Sequence, residues 1–174
     1  MKRIIIFAAV ICAAAAGFLL LRTFDVMGIP DSQIMDDMRK SARITDDWEF
    51  SQSGDEKLVA GVAYAPDRSD ASYYLYLARG GFSFGYRFRQ GGNLLPEMGI
   101  RGFDCGEFGT AYLSMNEQRT ELIEIDDGEN LWKIDVDPEK PFTEVVPKNG
   151  GEVRFFDENG TEVQIAAIET VVRE

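Results

Sequence analysis

Between Lys2-Arg3 and Arg22 the chain runs for 18 residues, from Ile4 to Leu21, without a single charge. Only Cys12 and Gly17 depart from aliphatic or aromatic side chains there. As a helix rising 1.5 Å per residue, such a run just spans a hydrocarbon core. The rival reading is a cleaved secretion signal, because Ala13 to Ala16 offer a small-residue cleavage site. Cutting there, however, would leave Gly17-Phe18-Leu19-Leu20-Leu21 as an apolar new N-terminus. A lipoprotein signal would need a small residue before Cys12, and Ile11 stands there. The run is therefore read as an uncleaved signal-anchor helix in the lipid bilayer. Lys2 and Arg3 predict a cytoplasmic N-terminus, which leaves residues 23–174 outside the membrane.

This reading divides the chain into an anchor over residues 1–22, a linker with a short helix over 23–44, and an extracytoplasmic domain over 45–174. Three of the 18 Lys+Arg lie at or before Arg22 and all 30 Asp+Glu follow it, so the remainder carries a formal charge of −15. That charge disfavours nucleic acid and anionic lipid surfaces as partners and favours solubility or a cationic partner. The same part holds one cysteine, Cys105, so no disulfide forms within it. Flanked by Asp104 and Glu107, Cys105 reads as a small buried hydrophobe and not as an activated thiol.

Asp31 can cap a helix whose apolar positions Ile34, Met35, Met38 and Ala42 recur at helical spacing. Arg39, Lys40 and Arg43 gather near its end, where cations suit the helix dipole. A helix of about 12 residues is marginal alone in water, so it is expected to dock on the domain. From Trp48 onward the pattern changes to short runs separated by Gly, Asp and Asn. Strands are predicted over residues 48–52, 58–65, 72–79, 82–90, 110–115, 120–126, 131–136, 152–156 and 162–172. With no long helical pattern between them, the fold class is all-β. The expected architecture is an antiparallel β-sandwich or partly open barrel of about 8–9 strands.

Three hairpins can be put in register. Taking Gly80-Gly81 as a two-residue turn pairs Leu77 with Phe84, Leu75 with Tyr86 and Tyr73 with Phe88 on an inward face. Taking Gly128-Glu129 as the next loop, a type II′ turn, pairs Ile125 with Trp132 and Ile123 with Ile134. The turn Asp157-Glu158-Asn159-Gly160 suits a type I turn followed by a left-handed glycine, pairing Phe155 with Val163 and Val153 with Ile165. Residues 91–109, with six glycines and Pro96, form the least regular part, either a functional loop or a crossing between sheets.

No histidine occurs anywhere in the chain. This removes Ser-His-Asp and Cys-His nucleophile systems and histidine-containing zinc sites. Asp135, Asp137, Asp157 and Asn159 resemble fragments of a calcium loop. Aligning Gly160 with the loop glycine, however, puts Phe155 and Ala166 where ligands belong, and the hairpin turn explains the same residues. No catalytic residue, metal or cofactor is assigned. If the first hairpin presents a surface, its outer face would carry Tyr74, Tyr76, Arg87 and Arg89, a basic-aromatic island suited to an interface. The expected role is non-catalytic binding or sensing of a protein or ligand outside the membrane. A carboxylate-based hydrolase and a structural component of an envelope complex are the alternatives.

Overall fold

The computed structural model describes residues 11–18, 28–42, 44–78 and 85–171. Of the predicted anchor, residues 11–18 are helical, while residues 4–10 and 19–21 lie outside the described residues. Among the described residues no helix is long and apolar enough to cross a membrane.

Helix α1 (Asp31–Ala42) carries the predicted apolar stripe. Its Ile34 and Met38 are fully buried, whereas Met35 stays 41% exposed. They pack on a four-stranded antiparallel meander of β1 (Glu49–Gly54), β2 (Leu58–Tyr64), β3 (Ala71–Ala78) and β4 (Tyr86–Asn93). Burying each such side chain stabilises the fold by about 1.5–3 kcal/mol, which is what holds a helix this short in place. The approach is close: a Cβ on Gly61 of β2 would lie 2.9 Å from Met38 Cε. On the opposite face of the meander, Leu58, Ala60, Val62 and Leu75 enter a second apolar layer. Strand β2 is thus buried along its whole length, which is why Leu-Val-Ala-Gly-Val-Ala-Tyr shows no polar alternation.

That second layer is closed by a central sheet in the order β12-β5-β6-β9, made of β5 (Ile100–Asp104), β6 (Thr110–Ser114), β9 (Phe142–Val146) and β12 (Ile165–Thr170). Alternation along β6 sends Ala111 and Leu113 towards the meander and Tyr112 away from it. On the far side, Ile100, Tyr112 and Phe142 meet Ile123, Ile125 and Phe155 of a third sheet. This third sheet has the order β11-β10-β7-β8, from β7 (Thr120–Asp126), β8 (Leu131–Asp135), β10 (Glu152–Asp157) and β11 (Glu162–Val163). Two apolar layers between sheets and one beneath α1 make up the core.

Two predicted hairpins have the expected register. Ile125 faces Trp132 and Ile123 faces Ile134, with Gly128 at φ 89° in the loop. Phe155 faces Val163 and Phe156 faces Glu162, with Gly160 at φ 75°. The pairing does not extend to Val153 with Ile165. The chain leaves the third sheet after Val163, and Ile165 begins β12, which runs parallel to β5 in the central sheet. The single predicted strand over 162–172 is therefore two strands in two sheets.

The first hairpin differs more. Ala78 faces Tyr86, Leu77 faces Arg87 and Tyr76 faces Phe88; past an irregularity, Leu75 faces Gln90 and Tyr73 faces Gly92. With Ala78 opposite Tyr86, the strands do not have the register of a two-residue Gly80-Gly81 turn, and Phe84 lies outside the described residues. Both faces of β3 are apolar, one under α1 and one under the central sheet, so apolar matching did not discriminate between registers. Among the described residues there are twelve strands, against the eight or nine expected. The additions are β5, inside the segment read as irregular, β9 between Pro141 and Pro147, and the split of the last strand.

Candidate functional site

The meander and the central sheet are joined along one edge and part along the other. At the joined edge Thr143 Oγ1 of β9 donates to the Ser51 carbonyl of β1 at 3.1 Å. Beside it the Val145 N–H donates to Ser53 Oγ at 3.2 Å. Glu144 between them is held above the usual carboxylate range by burial, against which the Val145 N–H and Ser53 act. At the opposite edge β4 and β12 have no such link among the described residues, and a cleft of about 240 Å³ opens there.

Its residues come from distant parts of the chain. Tyr73 of β3 and Phe103 of β5 stack with ring centroids 4.6 Å apart at 28°, and both line the cleft. Gln90 Nε2 donates to the Tyr73 hydroxyl at 3.0 Å, fixing that ring. Leu94 and Met98 add apolar surface. Arg101 of β5 and Glu169 of β12 form an ion pair that also lines it. The two partners differ in exposure, 19% for the Arg101 side chain and 41% for Glu169. Arg101 Nε is buried without a hydrogen-bond partner, an arrangement that is costly unless something else meets it.

The predicted surface residues do not form one face. Tyr74 and Tyr76 are 5% and 0% exposed, covered by α1, and the Tyr76 hydroxyl donates to Asp37 of that helix at 2.7 Å. The expectation that they face outward is corrected: the helix occupies the face that the hairpin reading left to solvent. Arg87 stands opposite Leu77, which packs on the inner layer, so it lies on the other face of the sheet from Tyr74 and Tyr76. Arg89 falls in the irregular stretch of β4, and its charge reaches Cys105. Cys105 is 5% exposed and its thiol is pushed up to about 11, chiefly by burial and then by Asp104, with Arg89 opposing. An arginine-aromatic grouping does exist, but it lies between the meander and the central sheet, and its rings are Tyr73 of β3 and Phe103 of β5. Tyr73 could have been suspected from its alternation with Tyr74, whereas Arg101 and Glu169 carry no spacing signal.

The outer face of the third sheet holds a shallower depression of about 620 Å³ lined by Glu121, Glu124, Asp135, Asp157 and Glu158 around Leu122 and Phe156. Much of that charge is already engaged. Glu124 pairs with Lys133 at 2.7 Å and Arg154 at 3.4 Å, and Glu158 pairs with Arg119 at 2.9 Å. Asp157 Oδ1 accepts the N–H groups of Asn159 and Thr161 at 2.8 Å each, and these bonds hold its carboxyl below the usual range. The turn's own N–H groups thus occupy Asp157 Oδ1. No protein-family model, characterised protein or solved structure matches this chain.

Proposed function

We propose that this chain is a membrane-anchored, extracytoplasmic β domain with a non-catalytic role, which binds a small ligand in the cleft between β4 and β12. In this reading residues 4–21 are the uncleaved anchor, the N-terminus is cytoplasmic and the sheets lie outside. The observation that carries the binding role is the pairing of a stacked aromatic wall, Tyr73 and Phe103, with Arg101, whose buried Nε lacks a partner. Apolar walls with a few placed polar groups are the usual composition of ligand sites. A cleft of about 240 Å³ is smaller than the roughly 300 Å³ at which pockets for drug-sized ligands begin, so the ligand is small. Sugar hydrolysis by two carboxyl groups would need a facing pair, and Glu169 is the one carboxylate among the lining residues.

The test is a fragment set of small neutral, cationic and anionic aromatics applied to the full chain in detergent micelles. Amide resonances report where each fragment binds. Binding should shift Leu94, Arg101 and Phe103 together. Shifts confined to the outer face of the third sheet would move the site to Leu122 and Phe156. The address is checked separately: the full chain should stay with membranes through carbonate extraction, and protease outside the cell should remove the domain.

A further inference from the structure

We propose that the cleft takes a small aromatic monocarboxylate, whose carboxylate replaces Glu169 on Arg101. The inference rests on the reading of this cleft as the ligand site and adds the class of ligand and the way it enters.

The ion pair is lopsided. Arg101 is enclosed, with a side-chain exposure of 19%, and cannot lose its counter-charge without leaving a buried cation uncompensated. Glu169 is 41% exposed on the outermost strand of its sheet, so on release it returns to water at little cost. The enclosed partner therefore demands a carboxylate, while the carboxylate that meets the demand is replaceable. A guanidinium presents five N–H donors in a planar fork that matches a carboxylate in bidentate fashion. Nε of Arg101 belongs to that fork and is unpartnered, so Glu169 leaves part of its donor set unused.

The remaining walls select the body of the ligand. The partly buried Tyr73 offers a ring backed by the buried Phe103, and Met98 beside it suits an aromatic guest through its polarizable sulfur. The charge of −15 beyond Arg22 selects a single negative charge over a phosphate dianion.

Benzoate is the probe, with benzamide as its uncharged counterpart, titrated into the full chain in micelles while the Leu94 and Phe103 amides are followed. Benzoate should bind and benzamide should bind at least about tenfold more weakly, as expected for loss of a charge-assisted bidentate contact. Glu169→Gln removes the internal competitor and should tighten benzoate severalfold. Glu162→Gln, on the third sheet, removes the same charge and should leave the affinity unchanged. Arg101→Met should abolish binding; if that variant does not fold, the Glu169→Gln comparison decides alone. Equal binding of benzamide and benzoate, or weaker benzoate binding by Glu169→Gln, overturns the carboxylate exchange while leaving the cleft as a site. If no neutral, cationic or anionic fragment shifts these amides, the ligand-site reading falls and the exchange falls with it.

Discussion

The hydroxyl of Tyr76 donates a 2.7 Å hydrogen bond to Asp37 Oδ2, joining the inner face of helix α1 to the centre of strand β3. Tyr76 is fully buried, and the bond is the polar tie in an otherwise apolar layer containing Ile34, Met38, Val59 and Ala63. Tyr76→Phe keeps the ring and leaves a half-buried Asp37 without this donor. A loss of about 1–3 kcal/mol is expected in urea melts. Asp37→Asn, which retains an acceptor, should lose less. Equal losses would mean that the charge on Asp37 matters more than the acceptor.

The same hydroxyl bears on alkaline stability, together with Tyr64. Tyr64 donates to Glu49 Oε2 at 3.0 Å, and its phenol is pushed up to about 12, first by burial and then by that carboxylate. The Tyr76 phenol is raised as well, by burial and by Asp37. A phenol whose proton is held more tightly in the folded state contributes stability that is complete below its unfolded pKa of about 10. That contribution is lost as pH rises from there through the folded value. Melting temperature should thus hold level up to about pH 9 and fall steeply between about 10 and 12, and Tyr64→Phe should make the fall shallower.

Asn116 ties three segments together from a buried position. Its Nδ2 donates to the carbonyls of Thr120 at 3.0 Å and Asp137 at 3.1 Å, and its Oδ1 accepts the Thr120 N–H at 2.7 Å. Asn116→Asp keeps the acceptor but turns a carboxylate towards two carbonyls. The expected loss is about 3 kcal/mol at neutral pH. Part of it should return on acidification, because the introduced carboxyl regains a donor when protonated and its folded pKa is therefore raised. A loss that does not depend on pH would count against this account.

Two glycines with positive φ should respond in opposite ways. At Gly151, φ 115°, a Cβ would lie 2.2 Å from the Asp126 carbonyl oxygen, where backbone cannot yield. At Gly160, φ 75°, a Cβ meets nothing within 4 Å. Gly151→Ala should cost more than about 3 kcal/mol, whereas Gly160→Asn should cost less than about 1 kcal/mol, since asparagine tolerates this conformation. Paired thermal melts decide the matter, and equal effects would contradict the packing described at Gly151.

Features written in a few adjacent residues were legible in the sequence. The stripe of Ile34 and Met38, the Asp157–Gly160 turn and the Ile125–Trp132 pairing all rest on local chemistry: helical spacing, a turn that needs Asp and Gly, and a loop that needs Gly128. The register of β3 with β4 was not legible, because both faces of β3 are covered: Tyr74 and Tyr76 are buried beneath α1, while Leu75 is buried in the inner layer and Leu77 packs against it. Nor could the pattern of residues 162–172 reveal that Glu162 and Ile165 belong to different sheets. The cleft was hidden for the same reason, since Tyr73, Arg101 and Glu169 meet through strand pairings that span the domain.

The pairing of β12 with β5 also sets an order of events. Strand β12 lies parallel to a strand some 65 residues earlier, with Glu169 against Phe103 and Thr170 against Asp104. A ribosome releases the chain from its N-terminus, so α1, the meander, β5 and β6 can assemble while the edge of β5 still lacks its neighbour. Contacts this far apart in the chain form slowly, because a long loop must close before they contribute. The wall of the cleft that carries Glu169 is consequently the last to arrive. A chain truncated before residue 165 would keep both aromatic rings but expose a bare β-edge beside them, ready to pair with another copy.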